Sequence, residues 1–128
     1  MRVYLVRHAK AEPGEPDELR PLAKKGRKQA RALGERFAAD GIDAVVSSPL
    51  LRARETAEAI AKAAGLEVQL DERLAPGATA ADLRAVVAGR GERVVAVGHQ
   101  PDCGRIAAAI SGGPEPEYPT AGVCELEL

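Results

Sequence analysis

Short apolar runs that alternate with helical segments constrain the fold of this chain more strongly than any other feature of its sequence. Runs of this kind, rich in β-branched residues and broken off by Gly, Pro or Ser, are typical of buried strands. Strands that alternate with helices indicate a parallel sheet with helices on both of its faces. We therefore predict an α/β protein, a three-layer α/β/α sandwich around a mostly parallel central sheet. The predicted strands span 2–6, 43–47, 66–70, 93–98 and 123–128, and the predicted helices span 23–39, 48–64, 78–89 and 101–113.

Glycines mark the predicted ends of three of these helices. Gly41, Gly65 and the pair Gly112-Gly113 each follow an apolar helical stripe, and glycine readily adopts the conformation that ends a helix. The segment 10–22 contains three prolines and is predicted to be a long surface loop. Long loops in compact domains are often functional.

The composition excludes several classes of function. The chain has 128 residues, of which 45% are hydrophobic and 29% charged, with a net charge of -1. This balance gives no global positive field for nucleic acid or an anionic membrane, so any anion site must be local. No apolar run approaches the ~18 residues of a spanning helix. Cys103 and Cys124 are too few for a disulfide framework or a cysteine-based zinc site.

Length and the N-terminal residues lead to further expectations. A chain of 128 residues is typical of one domain, and we expect a single domain over 1–128 with no inserted cap. Arg7, His8 and Lys10 interrupt any signal-peptide pattern. We therefore expect a cytoplasmic protein, and we expect it to be a monomer.

Charged and polar residues stand directly after three of the predicted strands. Arg7 and His8 follow the first strand, Ser48 follows the second with Arg52 close behind it, and His99 follows the fourth. Ligands of α/β sheets bind at the carboxyl ends of the strands. We therefore expect both histidines of the chain and two arginines to meet at one edge of the sheet.

This set of residues suits a phosphoryl group. Arginine binds phosphate oxygens through two parallel hydrogen bonds, and helix N-termini after residues 48 and 100 would add backbone N–H donors. A neighbouring arginine lowers the pKa of His8 and favours its neutral ring, which can attack phosphorus and form a covalent intermediate. Such catalysis relies on positioning and charge stabilisation and needs no metal.

Three motifs at these strand ends resemble those of a known family. The stretches VRHAKAE, SSPLLRARETA and VGHQP, in this order, resemble the histidine phosphatase superfamily, whose members share a phosphoglycerate mutase-like fold. The short length and the stretch RPLAKKGRKQA are similar to the SixA-type branch of phosphohistidine phosphatases. The resemblance covers nearly the whole chain, and it implies a metal-independent phosphatase without a cofactor.

The resemblance also implies a role for each matching residue. His8 would be the nucleophile that takes the phosphoryl group. Arg7, Arg52 and His99 would bind the oxygens of that group and act in catalysis. Arg20 would reach the mouth of the pocket and bind substrate, as in the SixA-type branch.

One position departs from the pattern of many superfamily members. In the register of the stretch DERLAPGAT, Pro76 stands where a glutamate acid is common, and Asp71 or Glu72 would serve only in a shifted alignment. An alkyl alkoxide needs a proton as it leaves. A phosphorylated imidazole can leave as a neutral ring that is already protonated on its other nitrogen. The departure therefore favours phosphohistidine on a protein as substrate.

Two alternatives stay open from the sequence. A small-molecule phosphomonoesterase of the same superfamily would use the same four residues on a small phosphate ester, with an acid supplied by Glu12, Asp17 or Asp102. A phosphate-binding module without turnover would keep the arginines but release no phosphate. A nucleic-acid partner has little support because aromatic residues make up only 2% of the chain.

Overall fold

Five strands form one sheet in the computed structural model, which describes all 128 residues. The order of the strands across the sheet is β3-β2-β4-β1-β5. The first four pair in parallel, and β5 pairs with β1 in the antiparallel direction. The strands are β1 (Arg2–Arg7), β2 (Ala44–Ser47), β3 (Val68–Leu70), β4 (Arg93–Gly98) and β5 (Val123–Glu127). The predicted mostly parallel sheet is thus confirmed.

Helices cover both faces of the sheet and bury its alternating side chains. The helices are α1 (Lys24–Asp40), α2 (Leu51–Ala64), α3 (Ala80–Val87) and α4 (Asp102–Ser111). In β1, Tyr4 and Val6 pack in the core beneath α1 and α2, whereas Val3 and Leu5 pack in the core beneath α3 and α4. The predicted three-layer α/β/α sandwich is therefore confirmed. None of the helices is both long and apolar enough to cross a membrane.

Glycines end three helices as the sequence predicts. Gly41, Gly65 and Gly112 have φ values of 71°, 71° and 78° and lie in the left-handed region directly after α1, α2 and α4. Residues with a Cβ adopt this conformation at a cost. The glycine pattern therefore located these three ends to within two residues.

The predicted starts and lengths of several elements differ from the structure by one to three residues. The largest difference is at α2, which begins at Leu51 and not at Ser48. Leu50 is still extended, with ψ of 138°, and its N–H donates to the Ser48 hydroxyl at 3.2 Å. A polar turn therefore separates β2 from α2, and it brings Ser48 to the edge of the sheet.

The three central strands end side by side at this edge. The N–H of His8 donates to the carbonyl of Gly98 at 3.1 Å, and the N–H of Ser48 donates to the carbonyl of Val97 at 3.0 Å. Pairing between β1, β4 and β2 therefore continues one residue beyond the strands. This extra pairing fixes the backbone of His8 and Ser48, the residues that follow β1 and β2.

Candidate active site

His8 lies at the centre of this edge with its ring fixed by its own backbone. It is buried, and its Nδ1 lies 2.8 Å from the carbonyl oxygen of Ala9. A carbonyl oxygen only accepts, so Nδ1 must carry the ring proton. The other nitrogen, Nε2, then has a free lone pair and is the atom of this ring able to attack an electrophile.

The surroundings of His8 keep the ring neutral. Burial lowers the pKa of His8 to about 4, and the positive charges of Arg52 and Arg7 act in the same direction. The hydrogen bond to Ala9 opposes this shift. At neutral pH the ring is therefore an uncharged nucleophile, and burial contributes more to this state than the neighbouring arginine from which the sequence predicts it.

His99 faces His8 across the pocket. The two ring centroids are 5.3 Å apart, and the Nε2 of His99 lies 2.8 Å from the Ser48 hydroxyl. The Ser48 hydroxyl is buried and accepts a hydrogen bond from the N–H of Leu50. Its own proton has the Nε2 of His99 as an acceptor, so the hydroxyl donates to Nε2. His99 then carries its proton on Nδ1. Burial lowers the pKa of His99 to about 3, with the charge of Arg52 acting in the same direction.

Arg7 is held against the chain segment that precedes β5. One terminal nitrogen of Arg7, Nη1, donates to the carbonyl of Tyr118 at 2.9 Å. The backbone N–H of Arg7 donates to Gly122 at 3.0 Å. The Nε of Arg7 and the Nδ1 of His99 are buried side-chain nitrogens that have no hydrogen-bond partner within the chain. Oxygens of a phosphoryl group held at His8 would supply acceptors for such N–H donors.

Arg52 projects from the first turn of α2 and is braced by one residue of the long loop. Its Nη1 donates to the carbonyl of Asp17 at 2.9 Å, and its Nη2 donates to the Asp17 carboxylate at 3.1 Å. Its Nε makes no hydrogen bond within the chain and is accessible to solvent. Arg52 thus keeps N–H donors for a phosphoryl group while Asp17 holds the guanidinium in place.

Arg20 joins the same network from the outer side. Its Nη1 donates to the Asp17 carboxylate at 3.1 Å, and its Nε donates to the carbonyl of Glu12 at 2.7 Å. Its charge also acts on His8. The structure therefore brings Arg7, His8, Arg52, His99 and Arg20 to one site, with Arg20 at its rim.

Thr56 connects the helix that carries Arg52 to the residue that follows His8. Its hydroxyl donates to the carbonyl of Arg52 at 2.8 Å and accepts from the N–H of Ala9 at 3.0 Å. Thr56 is fully buried. It therefore couples the position of α2 to the backbone carbonyl that orients the His8 ring.

Asp102, one of the acidic residues that the sequence offers as a general acid, is engaged by the backbone of a neighbouring loop. The Asp102 carboxylate accepts from the backbone N–H groups of Gly77 and Ala78 at 2.8 and 3.2 Å. It therefore ties the loop that contains Pro76 to the start of α4. Pro76 is exposed in that loop. The structure contains no group of three or more His, Cys, Asp or Glu residues placed to hold a metal ion.

Three residues shape this site in roles that sequence reasoning did not identify. Ser48 and Thr56 lie inside the stretch SSPLLRARETA, where small hydroxyl residues also serve as helix caps and core residues. Asp17 lies in a loop without periodicity. Only its contacts to two arginines distinguish it from the neighbouring acidic residues Glu15 and Glu18.

The sequence of the chain is similar to those of known proteins. The chain matches the family described as histidine phosphatase superfamily (branch 1) over residues 3–76. It is 38% identical over 124 residues to an uncharacterised protein of Picosynechococcus sp., which covers 88% of this chain and 74% of that protein. It is 43% identical over 81 residues to a probable phosphoglycerate mutase GpmB of Citrobacter koseri. That match covers 58% of this chain and only 37% of GpmB.

A solved structure shares the whole architecture. The protein histidine phosphatase SixA, in a complex with tungstate, superposes with a TM-score of 0.88 at 25% sequence identity. The superposition covers 100% of this chain and 88% of that protein. The phosphoglycerate mutase-like fold predicted from the sequence is therefore confirmed.

Proposed function

The chain belongs to the histidine phosphatase superfamily, and on that premise we propose that it removes the phosphoryl group from phosphohistidine on a protein. Its family and its likeness to SixA make it an enzyme of the phosphatase and mutase type. The observation that carries the proposal is the fixed, neutral ring of His8, with Nδ1–H on the Ala9 carbonyl and Nε2 free among three arginines. The site residues keep the roles that the resemblance implies.

The reaction proceeds in two displacements. In the first, the lone pair on Nε2 of His8 forms a bond to phosphorus, and the bond from phosphorus to the substrate ring breaks. In the second, water attacks the phosphorylated His8, releases inorganic phosphate and returns the electron pair to Nε2. The Nδ1–H of His8, held by the Ala9 carbonyl, allows His8 to leave as a neutral ring.

The arginines and His99 stabilise the charge that spreads over the phosphoryl oxygens. The guanidinium of Arg52 is held on Asp17 before substrate arrives, and His99 is held by Ser48. Donors that are already in place need no reorganisation as the transition state forms. The unpartnered nitrogens of Arg7 and His99 complete the set.

The leaving group supports phosphohistidine over an alkyl ester. Pro76 has no proton to donate, and the Asp102 carboxylate is bound to two backbone N–H groups. A ring that leaves as a neutral imidazole needs no acid. All four helices pack on the faces of the sheet. We expect no helical cap over the strand ends, so that a phosphohistidine on a protein surface reaches His8.

A small-molecule phosphomonoesterase is the second candidate, because the chain is also similar to GpmB over 81 residues. It would need a general acid. Among the acidic residues proposed for this role, Asp17 is held as a carboxylate by two arginines, and Glu12 is exposed. Hydrolysis of phosphohistidine is therefore the better-supported function.

The test is kcat/KM across substrates with leaving groups of different basicity, at fixed pH and in the presence of a chelator. Phosphohistidine and phosphoramidate should react fastest, nitrophenyl phosphate more slowly, and phosphoserine or phosphoglycerate slowest. General acid catalysis contributes about 10²–10⁴-fold, so kcat/KM for the alkyl esters should be lower than that for phosphohistidine by a factor of this order. Pro76→Glu would recover part of this difference if the loop tolerates the change.

Four results would contradict the proposal. A flat profile, with phosphoglycerate cleaved as fast as phosphohistidine, would reveal a hidden acid and favour the phosphomonoesterase. Full activity of His8→Ala, or loss of activity in the chelator with recovery on adding a divalent metal, would exclude a metal-free reaction through His8. Absence of phosphate release from every substrate would favour the binding module.

A further inference from the structure

Asp17 is the acidic residue that joins two arginines of the site. Its carboxylate accepts one hydrogen bond from Arg52 and one from Arg20, each 3.1 Å long. Its backbone carbonyl accepts a further bond from Arg52 at 2.9 Å. Arg52 is almost fully buried, whereas the side chain of Asp17 is 57% exposed. Asp17 therefore stands at the mouth of the pocket, directly outside an arginine that would bind the phosphoryl group.

The Asp17 carboxylate has spare capacity to accept hydrogen bonds. Each carboxylate oxygen offers two acceptor sites, and each oxygen of Asp17 uses one of them for an arginine. The hydrogen bond from Arg20, together with the charge of Arg52, holds the pKa of Asp17 below its usual value. Asp17 therefore remains an acceptor and cannot supply a proton to a leaving group.

Phosphohistidine requires such an acceptor for a reason that His8 itself illustrates. An imidazole leaves phosphorus as a neutral ring only if its other nitrogen holds a proton. In His8 the Ala9 carbonyl holds that proton, at 2.8 Å. In an in-line displacement at His8, the substrate ring would stand on the opposite side of phosphorus, toward the pocket mouth, and its acceptor would stand there too.

We propose that the Asp17 carboxylate accepts a hydrogen bond from the unphosphorylated ring nitrogen of the substrate and so favours its protonated, leaving-competent form. This inference rests on the proposed function and names the residue that selects its leaving group. The Nε2 lone pair of His8 bonds to phosphorus, and the electron pair of the broken P–N bond returns to the substrate ring. The ring keeps its other proton and departs as neutral imidazole, while Asp17 stays ionised throughout.

The same carboxylate disfavours the competing substrates. A leaving group with its own carboxylate, as in phosphoglycerate, would meet the negative charge of Asp17 at the mouth. An aryl or alkyl ester has no ring N–H to donate to it. Asp17 therefore acts on the leaving group, in addition to holding Arg52.

The test compares Asp17→Asn with wild type on two substrates in the same enzyme preparation, a phosphohistidine peptide and nitrophenyl phosphate. Loosening of Arg52 lowers kcat/KM for both substrates. For phosphohistidine, kcat/KM should fall by a further factor of about ten or more, because a hydrogen bond to a charged group is stronger than one between neutral groups. The ratio of the two values is independent of how much enzyme is folded. Glu18→Gln, in the same short turn and without an ion pair, is the matched control and should leave the ratio unchanged.

The pH dependence separates this role from a merely structural one. An imidazole ring has an ordinary pKa of about 6.5, so at higher pH a smaller share of the substrate carries the required proton. The deficit of Asp17→Asn should therefore grow between about pH 6 and about pH 8 for phosphohistidine and stay constant for nitrophenyl phosphate. Asp17→Glu, which keeps the charge, should recover part of the ratio.

Each outcome has a distinct meaning. Equal losses on both substrates at every pH would overturn the inference and leave Asp17 as a support for Arg52, with the proposed function intact. Failure of the wild-type enzyme to prefer phosphohistidine would instead overturn the proposed function, and the inference with it.

Discussion

Replacement of Arg52 by lysine tests whether two-pronged phosphate binding drives the reaction. Lysine keeps the positive charge but replaces a planar fork by a single ammonium. In the structure, two terminal nitrogens of Arg52 are fixed on Asp17 at 2.9 and 3.1 Å, and the remaining N–H groups are left for substrate. An ammonium at this position has to choose between Asp17 and the phosphoryl group.

The magnitude follows from the contacts that lysine cannot make. Arg52→Lys loses at least one charge-assisted hydrogen bond to the phosphoryl oxygens, and such bonds contribute about 1.5–3 kcal/mol. Loss of one oxyanion donor has a similar effect, about 2.7–4 kcal/mol. We therefore expect kcat/KM to fall by about 30- to 900-fold, which corresponds to about 2–4 kcal/mol.

The assay measures kcat/KM for nitrophenyl phosphate and a phosphohistidine peptide, together with the thermal unfolding midpoint. Arg54→Lys is the matched control on the same helix, because Arg54 is 44% exposed and pairs only with Glu58 at 3.3 Å. Surface pairs of this kind contribute about 0–1 kcal/mol, so the control should behave as wild type. If folded Arg52→Lys keeps kcat/KM within about threefold of wild type, the two-pronged clamp is refuted.

Two further predictions concern stability. His8 and His99 have pKa values lowered from 6.5 to about 4 and about 3, so below about pH 6.5 the unfolded chain binds more protons than the folded one. The free energy of unfolding from denaturant titration should therefore fall as the pH drops from about 6.5 to about 4. It should fall less in His99→Gln, and an identical pH dependence of the two proteins would contradict this account. In Gly26→Ala, the added Cβ would lie 1.9 Å from the carbonyl oxygen of Lys10, which should destabilise the protein by about 1–3 kcal/mol despite the better helix propensity of alanine. Gly113→Ala is the control, because the nearest atom to its Cβ would be 3.8 Å away, and equal stability of the two variants would show that α1 can shift from the loop.

The order of the elements and the candidate residues follow from the sequence because both depend on local patterns. Buried strands appear as apolar runs and helices as apolar stripes, and glycines mark the helix ends. Parallel strands end at one edge of a sheet, so a residue that directly follows such a strand has its position set by the topology alone. For this reason the sequence alone predicts which residues meet at this edge: Arg7, His8, His99 and, close behind the second strand, Arg52.

Only the tertiary structure determined how these residues are held. Ser48 and His99 are 51 positions apart and Asp17 and Arg52 are 35 apart, so no local pattern predicts either hydrogen bond. The same limit applies to the antiparallel direction of β5, which depends on the path of the segment before it. The sequence thus determined which groups reach the edge of the sheet. Contacts between distant segments decided which nitrogen of His99 carries its proton and which carboxylate stands at the pocket mouth, because these hydrogen bonds require positions that only the folded chain brings together.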